Sequence, residues 1–68
     1  MSESLRLVSL LIGQDSFEDL LVRLPDEFYG LSSENKDWVW DQLLGEVNQG
    51  NEDPQRLARA AMALVAGT

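Results

Sequence analysis

The segment from Ser33 to Gly50 constrains the fold more than any other stretch, because its apolar residues recur at helical spacing. At about 100° per residue, they fall within a stripe of roughly 140° on one side of a helix, and a stripe of that width faces a core. The stripe consists of Val39, Trp40, Leu43, Leu44 and Val47. The sequence therefore predicts a helix over residues 33–49 with Trp40 in the core.

Local signals define both ends of this helix. Ser32 or Ser33 is a typical N-cap, and Glu34 suits the positive end of the helix dipole. Gly50 can adopt the left-handed conformation that commonly follows the last helical turn.

Trp38 lies outside the apolar stripe, because it precedes Trp40 by two positions and so points roughly 160° away around the helix. Gly45 shares the side of Trp38. Asp37 and Asp41, which are four positions apart, lie beside Trp38. Like charges at that spacing cost about 0.2–0.5 kcal/mol, which a basic partner would relieve. We expect one tryptophan in the core, and Trp38 either at a contact surface or covered by the first helix or the C-terminal tail.

The two helices before this segment are predicted from their boundaries and apolar spacing. Ser2 is a candidate N-cap for a helix over residues 3–12, and Gly13 ends it. Asp15 followed by Glu18 has the spacing of a capping box for a helix over residues 16–24. The inward positions of this second helix are Phe17, Leu20, Leu21 and Leu24.

Two prolines indicate the remaining helical segments. Pro25 starts one further helical turn near residues 25–29, and Asp53 followed by Pro54 is a typical start for a last helix. The inward positions of the last helix are Leu57, Ala61, Leu64 and Val65. The predicted fold is all-α, a single domain over residues 1–68. It is a small compact bundle of four short helices, at about 3–12, 16–24, 33–49 and 54–66, with the extra turn near 25–29.

The first helix is too apolar for one buried side. Leu5, Val8 and Ile12 define one side of it, whereas Leu7 and Leu11 define another. A chain of 68 residues buries only about 60% of the surface that its unfolded form exposes. We therefore expect Leu7 and Leu11 to contact a second copy of the chain or a groove on a partner.

Composition argues against catalysis and against metal binding. The chain has no histidine and no cysteine, so acid–base chemistry would depend on carboxylates, Tyr29 or Lys36 in a deep pocket. Four short helices rarely enclose such a pocket. We expect a protein that is not an enzyme and that has no metal and no cofactor.

Charge indicates the kind of partner. The net charge is −7, and the segment from Asp15 to Asp53 has eleven acidic residues against Arg23 and Lys36, a net charge of −9. Such a segment favours a basic or mixed apolar and basic protein surface, and it disfavours direct binding to nucleic acid or to anionic membranes. The chain has no apolar run long enough to span a bilayer and no basic leader, so we expect it to be cytoplasmic.

The run Gly13-Gln14-Asp15-Ser16-Phe17 resembles the Gly-x-Asp-Ser-Leu motif of the acyl carrier protein family, whose members are small, acidic and helical. In that family the serine carries phosphopantetheine, so the resemblance implies that Ser16 is the attachment site. The same residues are also typical of a plain helix start. Both interpretations stay open at this point.

The leading hypothesis is a small, acidic, non-catalytic protein–protein interaction protein, an adaptor or inhibitor that occupies a partner surface, or a homodimer. The residues expected at its contact surface are Leu7, Leu11, Trp38, Asp37, Asp41 and Gly45. One alternative is an inhibitor that mimics nucleic acid with its acidic segment. The other is an acyl-carrier-like protein modified at Ser16.

Overall fold

The computed structural model describes residues 2–68, which form helices and no strand. The helices are α1 (Glu3–Ile12), α2 (Gln14–Arg23), α3 (Asp26–Tyr29), α4 (Ser33–Asn48) and α5 (Pro54–Ala66). The predicted all-α bundle of four longer helices with one extra turn, α3, is therefore confirmed.

The four longer helices form a ring. α1 packs against α2 and α4, and α5 packs against α2 and α4 from the other side, with α3 also lying against α5. α1 and α5 consequently occupy opposite corners of the ring, and their outer sides point away from each other.

The core fills the middle of the ring with apolar side chains alone. Among residues 2–68, no polar or charged residue is buried. The buried residues are Val8, Phe17, Leu20, Leu24, Phe28, Val39, Trp40, Leu43, Val47, Leu57, Ala58 and Ala61. The predicted inward stripes are thus buried or, for Leu21, Leu44, Leu64 and Val65, partly buried against the core.

Trp40 lies at the centre of this core and joins three helices. Its ring centroid is 5.8 Å from that of Phe17 on α2 and 5.8 Å from that of Phe28 on α3. The Phe28 ring meets the indole edge-on, at 89°, and such pairs contribute about 0.5–1.5 kcal/mol beyond their buried area. Tyr29 packs edge-on against Phe28 and donates a hydrogen bond of 2.9 Å to the carbonyl of Leu21.

The ends of α4 and the start of α5 follow the predicted signals. The Ser32 hydroxyl accepts a hydrogen bond from the Asn35 amide at 3.2 Å, and the Asp53 carboxylate accepts one from the Gln55 amide at 3.0 Å. α4 ends at Asn48, one residue earlier than predicted. Gly50 has a φ of 97°, and its amide and that of Asn51 donate to carbonyls of the last turn, which is the Schellman pattern.

The predicted start of the second helix is wrong. α2 begins at Gln14 and ends at Arg23, so Asp15 lies inside its first turn, and α2 has no side-chain cap. The reason is that Gly13, with a φ of 89°, both ends α1 and occupies the N-cap position of α2. Glu18 instead accepts a hydrogen bond of 3.0 Å from the side-chain amide of Gln14. Ser2 is the N-cap of α1 by position, but its side chain makes no cap hydrogen bond.

Gly45 lies within α4 and Gly50 just after it, and replacing each by alanine should change the free energy of unfolding in opposite directions. A Cβ added at Gly45 would meet no atom within 4 Å outside its own helix. Gly45→Ala should therefore stabilise the fold by about 0.5–1 kcal/mol. Gly50→Ala should destabilise it by about 1–2 kcal/mol, because a side chain disfavours a positive φ. Urea unfolding of both variants tests this, and a Gly50→Ala variant as stable as Gly45→Ala would contradict it.

Replacing each tryptophan by alanine should lower the free energy of unfolding by a different amount. Trp40→Ala should cost about 3–5 kcal/mol, as large core truncations do, which is most of the stability of a chain this short. Trp38→Ala should cost no more than about 1 kcal/mol. Thermal unfolding followed by circular dichroism compares the two variants directly. Equal losses would show that Trp40 is not the centre of the core.

Candidate interaction surface

α1 has one buried side and one open side. Val8 is fully buried, and Leu5 and Ile12 pack against the core. Three leucines on the other side are exposed, namely Leu7 at 36%, Leu10 at 71% and Leu11 at 49%. Because their spacing is i, i+3 and i+4, they form one row on the helix surface, which we call the α1 stripe. The fold thus covers one side of α1 and leaves this apolar row in contact with solvent.

A hydrogen bond joins the first turn of α1 to the middle of α4. The Ser4 hydroxyl donates to the carboxylate of Asp41. Ser4 precedes Leu7 and Leu11 by three and seven positions, so these residues share a side of α1. Asp41 follows Asp37 by four positions and precedes Gly45 by four, so these share a side of α4. The contact therefore joins the side of α1 that has Leu7 and Leu11 to the side of α4 that has Asp37 and Gly45.

Trp38 lies on the same part of α4, three positions before Asp41, and is 42% exposed. It lines a shallow cavity of about 330 Å³ together with Glu34, Gly67 and Thr68. The C-terminal residues therefore cover part of the indole and leave the rest open. The expectation that one tryptophan is buried and the other is not is confirmed.

Asp37 and Gly45 differ in what surrounds them. Asp37 is exposed and lines a cavity of about 280 Å³ where the start of α1 meets α4, together with Leu5 and Lys36. Gly45 is partly buried, yet the space where its Cβ would be is empty. Gly45 is thus a gap in the side-chain cover and not a close contact between helices.

The surface around these residues is anionic. Ten of the eleven acidic residues between Asp15 and Asp53 are exposed, and Glu46 is partly buried. Within residues 2–68 there are two ion pairs, Glu3–Arg6 at 3.9 Å and Asp19–Arg23 at 3.0 Å. The remaining carboxylates of this part of the chain make no ion pair, so their charge attracts cationic groups.

The described residues offer little else that resembles a chemical site. No group of three or more acidic, histidine or cysteine side chains within residues 2–68 is arranged to hold a metal ion. No helix in the same range is long and apolar enough to cross a membrane. Ser16, the residue singled out by the resemblance to acyl carrier proteins, is partly buried in the first turn of α2. Its modification stays a prediction.

Four exposed large hydrophobic residues are absent from the sequence-based set of contact residues, namely Leu10, Val22, Tyr29 and Met62. Leu10, Val22 and Met62 each lie outside the inward stripe of their own helix, and this offset is the sequence signal that identifies them.

Comparison of the chain with protein-family models, with curated proteins and with solved structures finds no match in any of the three. A functional assignment therefore depends on the surface itself.

Proposed function

We propose that this chain is a small non-catalytic interaction protein, an adaptor or inhibitor that occupies a surface of another protein. The contact surface is the α1 stripe together with Asp37, Trp38, Asp41 and Gly45 on α4. The observation that supports this most is the exposure of three leucines in one row on a helix whose other side is buried. Contiguous apolar surface of this kind typically marks a protein–protein contact.

Burial of the α1 stripe alone would give too little binding free energy for a micromolar complex, so contacts on α4 must also contribute. Full burial of a leucine contributes about 1.5–3 kcal/mol, so covering the exposed parts of these three is worth roughly 2–5 kcal/mol. Micromolar binding requires about 8 kcal/mol. Trp38 is well suited to supply much of the difference, since tryptophan is enriched among residues that dominate binding energy. A partner backbone can also approach closely over the gap at Gly45.

Charge determines which partner fits. Asp37 and Asp41 make no ion pair within residues 2–68, and the chain has a net charge of −7. A partner with an apolar centre and a basic rim complements this arrangement and is attracted at long range. A second copy would bring two chains of −7 together, which electrostatic repulsion opposes. We therefore favour a different protein over a homodimer.

Replacing Leu10 should abolish partner capture without unfolding the chain. Leu10→Asp places a charge in the middle of the α1 stripe, at a side chain that the core does not need. Tagged wild-type chain and the variant are used to capture proteins from cells that produce the chain naturally, and mass spectrometry compares the captured proteins. We expect a basic protein that the wild type captures and Leu10→Asp loses.

Val22→Asp is the matched control, because Val22 is 84% exposed and lies on α2. It introduces the same charge at an exposed apolar residue away from the stripe and should retain the partner. Circular dichroism checks that both variants are folded. A partner lost equally from both variants, or retained by both, would contradict the assignment of the surface.

The molar mass in solution separates a different partner from a homodimer. We expect 7.6 kDa, the mass of one chain, at micromolar concentration. Light scattering on a size-exclusion column measures it. A mass of two chains that reverts to one chain in Leu10→Asp would show that a second copy occupies the stripe.

A second candidate function is supported by the exposure of ten carboxylates between Asp15 and Asp53. An array of this kind can mimic the phosphates of nucleic acid at a basic groove. The two candidates differ in salt dependence. Apolar docking should change little between low and physiological salt, whereas pairing of many carboxylates with a basic groove should weaken steeply, as phosphate contacts do. Calorimetric titration of the captured partner at several salt concentrations distinguishes them.

A further inference from the structure

A second apolar surface lies on the opposite corner of the ring from the α1 stripe. α3 and the residues after it pack against the C-terminal half of α5 and leave a groove of about 390 Å³. Apolar side chains line most of it, from Pro25 and Leu31 on one wall and Met62 and Val65 on the other. Since α1 and α5 occupy opposite corners, the α1 stripe lies away from this groove, whereas Trp38 is closer to it, because Thr68 lines both the groove and the cavity beside Trp38.

The groove is open on one side. Met62 forms part of its wall and is 56% exposed, and Leu31 and Val65 are only partly buried. Small-molecule sites commonly bury 70–90% of their ligand, which an open groove of this kind does not do. It suits a side chain that projects from another protein, and the flexible thioether of Met62 can adapt to its shape.

The charge of the groove indicates which residue should lie next to the apolar side chain that enters it. Within residues 2–68, Glu27 has the one charged side chain that lines the groove. It is exposed, and it makes no ion pair within residues 2–68. A lysine or arginine beside the apolar anchor would pair with it, whereas an acidic neighbour would be repelled.

We propose that the groove between α3 and α5 is a second docking site, for a protein segment that inserts one large apolar side chain and pairs an adjacent lysine or arginine with Glu27. This goes beyond the proposed function, because it adds a contact site on α3 and α5 that the first contact surface does not include.

The test uses a short amphipathic peptide of leucine and lysine as the probe, with matched peptides in which glutamine or glutamate replaces lysine. Backbone amide signals of the full chain are followed by NMR during titration. We expect the leucine–lysine peptide to shift the signals of Leu31, Met62 and Val65, the glutamine peptide to bind more weakly, and the glutamate peptide not to bind. The groove signals should shift equally in Leu10→Asp, which disables the α1 stripe alone.

Two pairs of variants assign the binding to particular residues. Glu27→Gln should weaken binding about 1.5- to 5-fold, the range for an exposed ion pair, while Glu52→Gln removes the same charge elsewhere and should leave the groove affinity unchanged. Met62→Ser should weaken it several-fold, and Val22→Ser should not. The proposal is overturned by shifts absent from the groove, by equal effects of the two glutamate variants, or by equal binding of the glutamate peptide.

Discussion

Phe17 and Phe28 pack against Trp40 and so hold α2, α3 and α4 together at the middle of the core. The three rings come from α2, α3 and α4, and both phenylalanines lie 5.8 Å from the indole between centroids. A chain of 68 residues has little other bulk with which to fill the middle of a helical ring. Because the indole occupies that space, α1 and α5 need to contribute only a few side chains each. α5 does so with Leu57 and two alanines.

Because α1 and α5 bury few side chains each, other apolar side chains on these helices stay exposed. α1 contributes Val8 to the core and packs Leu5 and Ile12 against it, so nothing in residues 2–68 buries the α1 stripe. On α5, Met62 is left open for the same reason. The candidate docking surfaces thus follow from the geometry of the ring, since the two helices at opposite corners each have one side that no neighbour covers. The acidic residues between Asp15 and Asp53 add the electrostatic preference for cationic partners.

Local signals in the sequence predicted most of the fold. α1 and α5 have the predicted bounds because Gly13 ends the first and Asp53 with Pro54 starts the other. The start of α2 was not predicted correctly, since Gly13 serves both helices and a capping-box pattern at Asp15 looks the same whether or not a cap forms. Exposure of Leu7 and Leu11 was predictable from angles on a single helix. The proximity of α1 to Asp41 was not, because crossing geometry depends on how side chains of separate helices interdigitate. The α3–α5 groove likewise combines residues that are distant in sequence.

The α1 stripe is open to solvent in the folded chain, while the other side of α1 packs into the core. Paramagnetic relaxation of leucine and valine methyl signals by an inert soluble agent measures this directly. We expect strong relaxation at Leu10, intermediate relaxation at Leu7 and Leu11, and little relaxation at Val8, Leu20 and Leu43. This ranking should not change with protein concentration. Protection of the three stripe leucines equal to that of Val8 would contradict it, because the stripe would then be covered and unable to receive a partner.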